Sequence, residues 1–356
     1  MTAPLLLTGA TGYLGRHVLA ALHAASADRR VYALVRDPAE WSKLDYAAEH
    51  PQVVPIKGDL VDDLAWMDDP ALAAVGGVLH LAALVNHSRR DPAPVMRTNV
   101  EGTLNVVKFA ARGRTPVVFV STSGTVACFR KPGQVVYEEA PYAEGTVGRW
   151  PYYASKIQAE RQARALAAET GVPLTIMRPP VLLGPGDHRF RSTGHVLRML
   201  RGRLPFLIDG GISYCDVRDV AGAVVAALDH PARRPIYHLP GHDMTIGTFF
   251  GLVEELSGTP APKRYLPYRA AKGLAVAAER TAHGLGQHSP LPDPVVIEMA
   301  KHHWGIASRH VEGELGYRIR DARETLRDTI AWLRQHHPEL RGSAVAATPD
   351  GASRGL

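Results

Sequence analysis

Short, unbroken apolar runs alternate with longer segments of helical period through the first half of the chain. Runs at 5–8, 31–35, 53–56, 78–81, 117–121, 174–177 and 236–239 predict strands, and segments near 13–25, 99–112, 152–170 and 217–229 predict the helices between them. Within the strands the hydrophobicity is continuous rather than alternating. Both sheet faces are therefore covered, which is the pattern of a parallel sheet in an α/β fold.

Beyond about residue 182 the pattern becomes irregular. Leu183-Gly-Pro-Gly-Asp187 reads as a loop, 188–212 as a helix and a short extended piece, and 241–310 as helices broken by Pro and Gly. The strand–helix rhythm returns over 213–240. The predicted division is a sheet domain of residues 1–182 plus 213–240 and a smaller lobe of 183–212 plus 241–340, made from two insertions. The Gly/Ala/Ser-rich end, 341–356, is predicted to be disordered.

Composition narrows the function classes. At 356 residues the chain is long enough for one large domain with an appended lobe, or for two domains. The net charge is +6 but no run of five basic residues occurs, so no nucleic-acid arm is expected; the excess fits a solvated surface or a positive field around an anionic cofactor. Cys128 and Cys215 belong to no CxxC pair, which argues against a zinc site or a disulfide framework and for reduced thiols in the cytoplasm. The 17 histidines show no metal spacing, and the pairs His302-His303 and His336-His337 are expected on helix surfaces. The N-terminus lacks a basic leader and reads as a first strand, and no apolar stretch approaches the 18 residues of a membrane span.

Candidate chemistry begins at Thr8-Gly-Ala-Thr-Gly-Tyr-Leu-Gly15, which follows the first strand and opens the first helix. Gly9 permits the tight turn, Gly12 lets a pyrophosphate approach the backbone, and Gly15 lets helix pack on strand. The helix N-terminus then offers unpaired N–H groups and a positive dipole end to phosphates. The second strand ends in Arg36-Asp37. Arg36 suits a ribose 2′-phosphate and points to NADP(H), with NAD(H) the alternative if Asp37 takes the ribose. Asp59 can accept a hydrogen bond from an adenine amino group.

The stretch Pro151-Tyr-Tyr-Ala-Ser-Lys156 supplies a possible acid. Pro151 suits a first helical turn. A lysine one turn from a tyrosine favours the phenolate and so brings proton exchange towards neutral pH. Tyr152 lies four residues before Lys156 and Tyr153 three, and both spacings share a helix face, so spacing alone leaves the choice open. Upstream, Val117-Val-Phe-Val-Ser-Thr-Ser-Gly124 ends a strand in hydroxyls, with Ser121 and Ser123 on one side and Thr122 on the other.

Together Thr8–Gly15, Asp59-Leu60, His80-Leu-Ala-Ala83, Asn99-Val-Glu-Gly-Thr103, Ser121-Thr-Ser123, Tyr152-x-x-x-Lys156 and Arg178-Pro179 resemble the extended short-chain dehydrogenase/reductases from residue 4 to about 340. Val35-Arg-Asp-Pro38, Leu183-Gly-Pro-Gly-Asp187, Asp216-Val-Arg-Asp219 and Glu314-Leu-Gly-Tyr317 resemble the dihydroflavonol-reductase-like and 3β-hydroxysteroid-dehydrogenase-like branch. The resemblance implies a Rossmann-type doubly wound parallel sheet with a smaller C-terminal substrate lobe. It selects Tyr152 as the acid, Ser123 as the carbonyl-polarising group and Lys156 as the residue that tunes the tyrosine and holds the ribose. It implies cofactor contacts at Thr8, Gly9, Thr11, Gly12, Tyr13, Leu14, Gly15, Arg36, Asp59, Leu60, Leu81, Ala82, Ala83, Asn99, Pro179 and Val181. Asn99 is expected to cap the helix 99–112 or to tie two strands. Substrate contacts are expected at Val85, His87 and Thr125, with no metal, and a homodimer is a family expectation.

Sugar-nucleotide epimerases and dehydratases of this kind carry an asparagine after the strand ending near 178. Here Met177-Arg-Pro-Pro-Val-Leu-Leu183 has none. The expected substrate is therefore an apolar, non-phosphorylated ketone, aldehyde or secondary alcohol. Sugar-nucleotide chemistry is the alternative, followed by acyl-thioester reduction and non-catalytic NADP(H) sensing.

Overall fold

Leu5, Leu6 and Leu7 are all fully buried. Successive side chains of a strand point to opposite faces, so the sheet that begins here is covered on both. The computed structural model describes residues 2–340 apart from 231–232, 285, 287–288 and 290, so the tail expected to be disordered lies outside the described residues. In chain order the strands are β1 (Leu5–Thr8), β2 (Val31–Val35), β3 (Val53–Lys57), β4 (Gly77–His80), β5 (Val117–Val120), β6 (Val135–Val136), β7 (Leu174–Arg178), β8 (Val181–Leu183), β9 (Gly211–Asp216), β10 (Ile236–His238), β11 (His242–Thr245) and β12 (Gly305–Ile306).

Seven of them form one sheet, ordered β10-β7-β5-β4-β1-β2-β3, and every neighbouring pair is parallel. Leu5 pairs with Val31 on one side and Gly77 on the other, so the strand order reverses at β1. The helices Tyr13–Ala25 and Val217–Asp229 pack on one face of the sheet, and Gly102–Ala111 and Pro151–Thr170 on the other. The result is a Rossmann-type doubly wound α/β fold.

The chain leaves this sheet at Pro179-Pro180, two residues without an N–H to extend the ladder. β8 then pairs with β9 in parallel, and β9 with β11 antiparallel, in a separate three-stranded sheet. The rhythm read over 213–240 therefore divides: 213–216 belong to the small sheet, and only the helix Val217–Asp229 and β10 return to the large one. The helices Gly194–Leu200, Ile246–Ser257 and Ala322–His336 enclose a separate core with Leu183, Phe249, Val253, Ile330 and Leu333.

The helix expected at 99–112 starts earlier, as Ala93–Met96, and passes through a π-helical turn at Arg97–Glu101 before Gly102–Ala111. Asn99 is thus inside helical backbone and caps nothing. His302 and His303 are not on a helix surface either: they follow the helix Pro294–Ala300, and His302 is buried.

Candidate active site

In open parallel sheets the crevice lies outside the C-terminal strand ends where the order reverses. Here a cleft of about 1120 Å³ opens beyond β1 and β4 and runs from the glycine turn to the small lobe. Gly12 N–H donates to the Gly9 carbonyl at 3.0 Å, and Gly9 sits at φ +81. A Cβ on Gly9 would lie 2.7 Å from the Ala82 nitrogen, and one on Gly15 would lie 2.2 Å from the Gly9 carbonyl oxygen. The helix Tyr13–Ala25 starts with no side-chain cap and no acidic residue in its first turn. Its positive end is left for a ligand anion.

Arg36 and Lys43 line the far end of the cleft. Asp37 does not line it; its carboxylate accepts from Ala39 N–H at 2.9 Å and caps the short helix Pro38–Trp41. Asp59 and Leu60 line the cleft beside them, with Asp59 Oδ1 accepting the N–H groups of Val61 and Asp62 at 2.8 and 3.1 Å. Thr11, Tyr13, Leu14, Leu81, Ala82, Ala83, Pro179 and Val181 also line the cleft.

Two expected contacts have structural duties. Thr8 lines the cleft but its hydroxyl bonds His80 Nδ1 at 2.7 Å, and His80 Nε2 bonds Thr103 Oγ1 at 3.0 Å. Thr103 Oγ1 donates to the Asn99 carbonyl at 2.6 Å, so it accepts from His80, which therefore carries its proton on Nε2. Burial pushes His80 down to about 3, so it links β1, β4 and the helix Gly102–Ala111 as a neutral ring. Asn99 is buried and does not line the cleft. Its side chain accepts from Leu84 N–H at 2.7 Å and donates to the Leu84 carbonyl at 3.1 Å and to Ser155 Oγ at 2.9 Å. It ties the loop after β4 to the helix Pro151–Thr170, and not one strand to another.

Ser123, Tyr152 and Lys156 line the middle of the cleft. β5 ends at Val120, and Ser123 opens a 3₁₀ turn whose backbone is anchored by Ser123 N–H to the Pro179 carbonyl at 2.8 Å. The Ser121 hydroxyl is spent elsewhere, donating to Glu160 at 2.5 Å, and Thr122 caps the turn. Pro151 is the first residue of the helix Pro151–Thr170, as expected from its fixed φ. Lys156 is buried, donates to the Val120 carbonyl at 2.8 Å and lies 4.6 Å above the Phe119 ring. Burial pushes it down to about 7, against the opposing pull of Glu160. Burial pushes the Tyr152 phenol up from its usual value. Among the described residues its hydroxyl has no hydrogen-bond partner.

Tyr153 lines the cleft as well, but the two tyrosines pack differently. Tyr153 stacks on Trp304 with ring centroids 5.6 Å apart, and a Cβ on Gly124 would lie 2.1 Å from its ring. Val85 and His87 line the cleft, with the His87 ring 5.4 Å from Tyr152, and burial pushes His87 down to about 4. Thr125 does not line it. It is fully buried and its hydroxyl donates to the Thr122 carbonyl at 2.9 Å. The sequence reading missed the lobe wall: Ile212, Ile246, Phe249, Phe250, Met299 and Trp304, with His195 among them. Burial pushes His195 down to about 4, and among the described residues its buried Nε2 has no hydrogen-bond partner. These positions carry no motif; only the fold brings them to the cleft.

The family model of the NAD dependent epimerase/dehydratase family matches residues 5–247, and the chain belongs to that family. It is 29% identical over 336 residues to sterol demethylase protein B of Methylococcus capsulatus, covering 93% of this chain and 98% of that one. It is 28% identical over 257 residues to dihydroflavonol 4-reductase of Zea mays, covering 68% and 71%. The crystal structure of gox2253 superposes with a TM-score of 0.77 at 29% identity, covering 94% of this chain and 99% of that one. No helix among the described residues is long and apolar enough to cross a membrane.

Proposed function

For this member of the NAD dependent epimerase/dehydratase family we propose an NADPH-dependent reduction of a ketone or aldehyde on an apolar, non-phosphorylated small molecule, or the reverse alcohol oxidation. The observation that carries it is that Ser123, Tyr152 and Lys156 share one cleft with the apolar wall of Ile212, Ile246, Phe249, Phe250 and Met299. The similarity to a dihydroflavonol 4-reductase supports a reductase.

The chain's residues fit the dinucleotide. The glycine cradle, which no Cβ could enter, suits a pyrophosphate at the uncapped helix start. Asp59 and Leu60 would hold the adenine, and Lys156, Pro179 and Val181 the nicotinamide half. Arg36 and Lys43 would take a 2′-phosphate, since Asp37 is occupied in capping. When bound, the nicotinamide supplies the hydride.

Ser123 O–H donates to the substrate carbonyl oxygen, and Tyr152 delivers a proton to that oxygen. The buried phenol would be a poor acid alone. The Lys156 ammonium, held in place by the Val120 carbonyl, stabilises the phenolate left behind. Tyr153, stacked on Trp304 and pressed against Gly124, forms a wall of the substrate site. The lobe wall and Trp304 keep water from the reacting carbonyl.

Loss of NADPH absorbance is the assay, run against a panel of apolar ketones and aldehydes. Tyr152→Phe is expected to lower kcat/KM by roughly 10²- to 10⁴-fold, the worth of a positioned general acid, and Tyr153→Phe by less than tenfold. A dead Tyr153→Phe beside an active Tyr152→Phe would reverse the assignment. Cofactor binding without oxidation by any carbonyl would favour a sensor instead.

A further inference from the structure

A second cavity, of about 400 Å³, is lined by Arg130, Gly145, Thr146, Arg149, Lys301 and His302 and shares no lining residue with the catalytic cleft. Three of these six residues are cations and none is acidic. Among the described residues no carboxylate pairs with any of the three.

The nearby acids are already committed. Glu298, whose charge acts on Lys301, is bound by Arg89 at 2.7 Å, by Lys272 at 2.6 Å and by the Trp150 indole N–H at 3.1 Å. Glu144, next to Gly145, is paired with Arg161 at 2.5 Å. The cations are close enough to repel one another: the Lys301 ammonium is pushed below its usual value by burial, with further lowering from Arg149, Lys272 and Arg130. They are also held. The Arg149 guanidinium lies 5.5 Å from the Trp150 ring, and the Lys301 ammonium 4.1 Å from the Tyr268 ring. Arg130 and Arg149 are exposed, so solvent screens part of this repulsion, and an anion that joined the three cations would relieve the rest.

We propose that this cavity binds a phosphate group, at a site separate from the cofactor's. A single carboxylate would leave most of the charge uncompensated, whereas two guanidinium forks and an ammonium match the charge and the several oxygens of a phosphate. Thr146 adds a hydroxyl donor at the wall. The site borders the catalytic cleft through two of its three charged segments. Arg149 precedes Trp150 and the tyrosine pair, and Lys301 follows Met299 and Ala300, which line the cleft.

The test is a calorimetric titration of inorganic phosphate into the NADPH-saturated full chain at fixed ionic strength, which keeps the cofactor cleft out of the readout. One saturable site is expected. Arg149→Gln and Lys301→Gln should each weaken it about tenfold, the worth of one charge-assisted hydrogen bond, while Lys131→Gln, an exposed lysine outside the cavity, should leave it unchanged. Unchanged NADPH affinity shows that each variant is folded. A second titration with phenyl phosphate separates the sources. Equal affinity marks the free ion and tighter binding marks a phosphorylated organic ligand, and either carries the site. Binding that does not saturate, or that falls equally in Lys131→Gln, overturns the proposal, whatever the outcome of the carbonyl screen.

Discussion

Glu160→Gln should be among the most damaging conservative substitutions in this chain. The Glu160 side chain is 0% exposed and that of its partner Arg178 is 2% exposed. The carboxylate accepts from Ser121 Oγ at 2.5 Å, Arg178 Nε at 3.1 Å and Arg178 Nη2 at 2.5 Å, and Arg178 Nη1 lies 3.3 Å from His238 Nε2. Glutamine keeps the volume but offers one acceptor oxygen, turns an NH₂ towards donors and leaves a buried guanidinium uncompensated. Breaking a buried pair in this way costs about 3–5 kcal/mol, a large part of a stability of about 5–15 kcal/mol. Removing both charges together, as in Glu160→Leu with Arg178→Met, should cost well under the sum of the single losses. Urea unfolding of the wild type, both single variants and the double variant is the assay. A catalytic signature should accompany it. Glu160 is the charge that opposes the effect of burial on Lys156, so without it the lysine drops further below about 7 and loses its proton at lower pH. The alkaline limb of kcat/KM for reduction then moves to lower pH. A single-variant loss under about 1 kcal/mol, or additive losses, would refute the reading of this pair as a buried, mutually dependent one.

Arg36→Ala should weaken NADPH binding by at least tenfold and leave NADH nearly unchanged; equal effects on the two cofactors in a fluorescence titration would remove the 2′-phosphate from Arg36. Gly15→Ala puts a Cβ 2.2 Å from the Gly9 carbonyl oxygen and 2.8 Å from Ala10 Cα, both backbone atoms. Overpacking of that kind should cost about 1–3 kcal/mol and abolish tight cofactor binding, read by thermal shift with and without NADPH. Burial holds His80 near 3, against about 6.5 in the unfolded chain. As pH falls through 6.5 the unfolded state takes the proton first, so native stability is lost progressively towards pH 3. The loss from this ring is on the order of 3 kcal/mol at pH 4.5, and His80→Asn should flatten that part of the urea-measured pH profile.

The central strands were legible because covering both faces of a parallel sheet leaves a local mark, an unbroken apolar run. β1, β2 and the helices Tyr13–Ala25 and Val217–Asp229 fall where the pattern puts them. The glycine cradle was legible because Gly12 and Gly15 both close on the Gly9 carbonyl within one short turn, although Gly9 itself also abuts Ala82 after β4, which no local spacing shows. β9 was not, because periodicity reports how a strand is buried and not which edge it pairs with. The prolines at 179 and 180 were visible, but not that β8 and β9 would find each other beyond them. Asn99 and Thr125 sit in familiar patterns, yet their hydrogen bonds go to Leu84, Ser155 and Thr122, inside the protein.

The sequence by itself determined the fold class, the glycine turn and a lysine one helical turn from two tyrosines. Spacing along one helix could go no further, because i+3 and i+4 share a face. Only the tertiary structure shows how differently the two rings pack. Gly124 and Trp304, far apart in the chain, close on the Tyr153 ring, while the Tyr152 ring meets His87, and both tyrosines line the cleft. The apolar cleft wall from Ile212 to Trp304 was decided in the same way, since packing between distant segments leaves no periodic trace in either one.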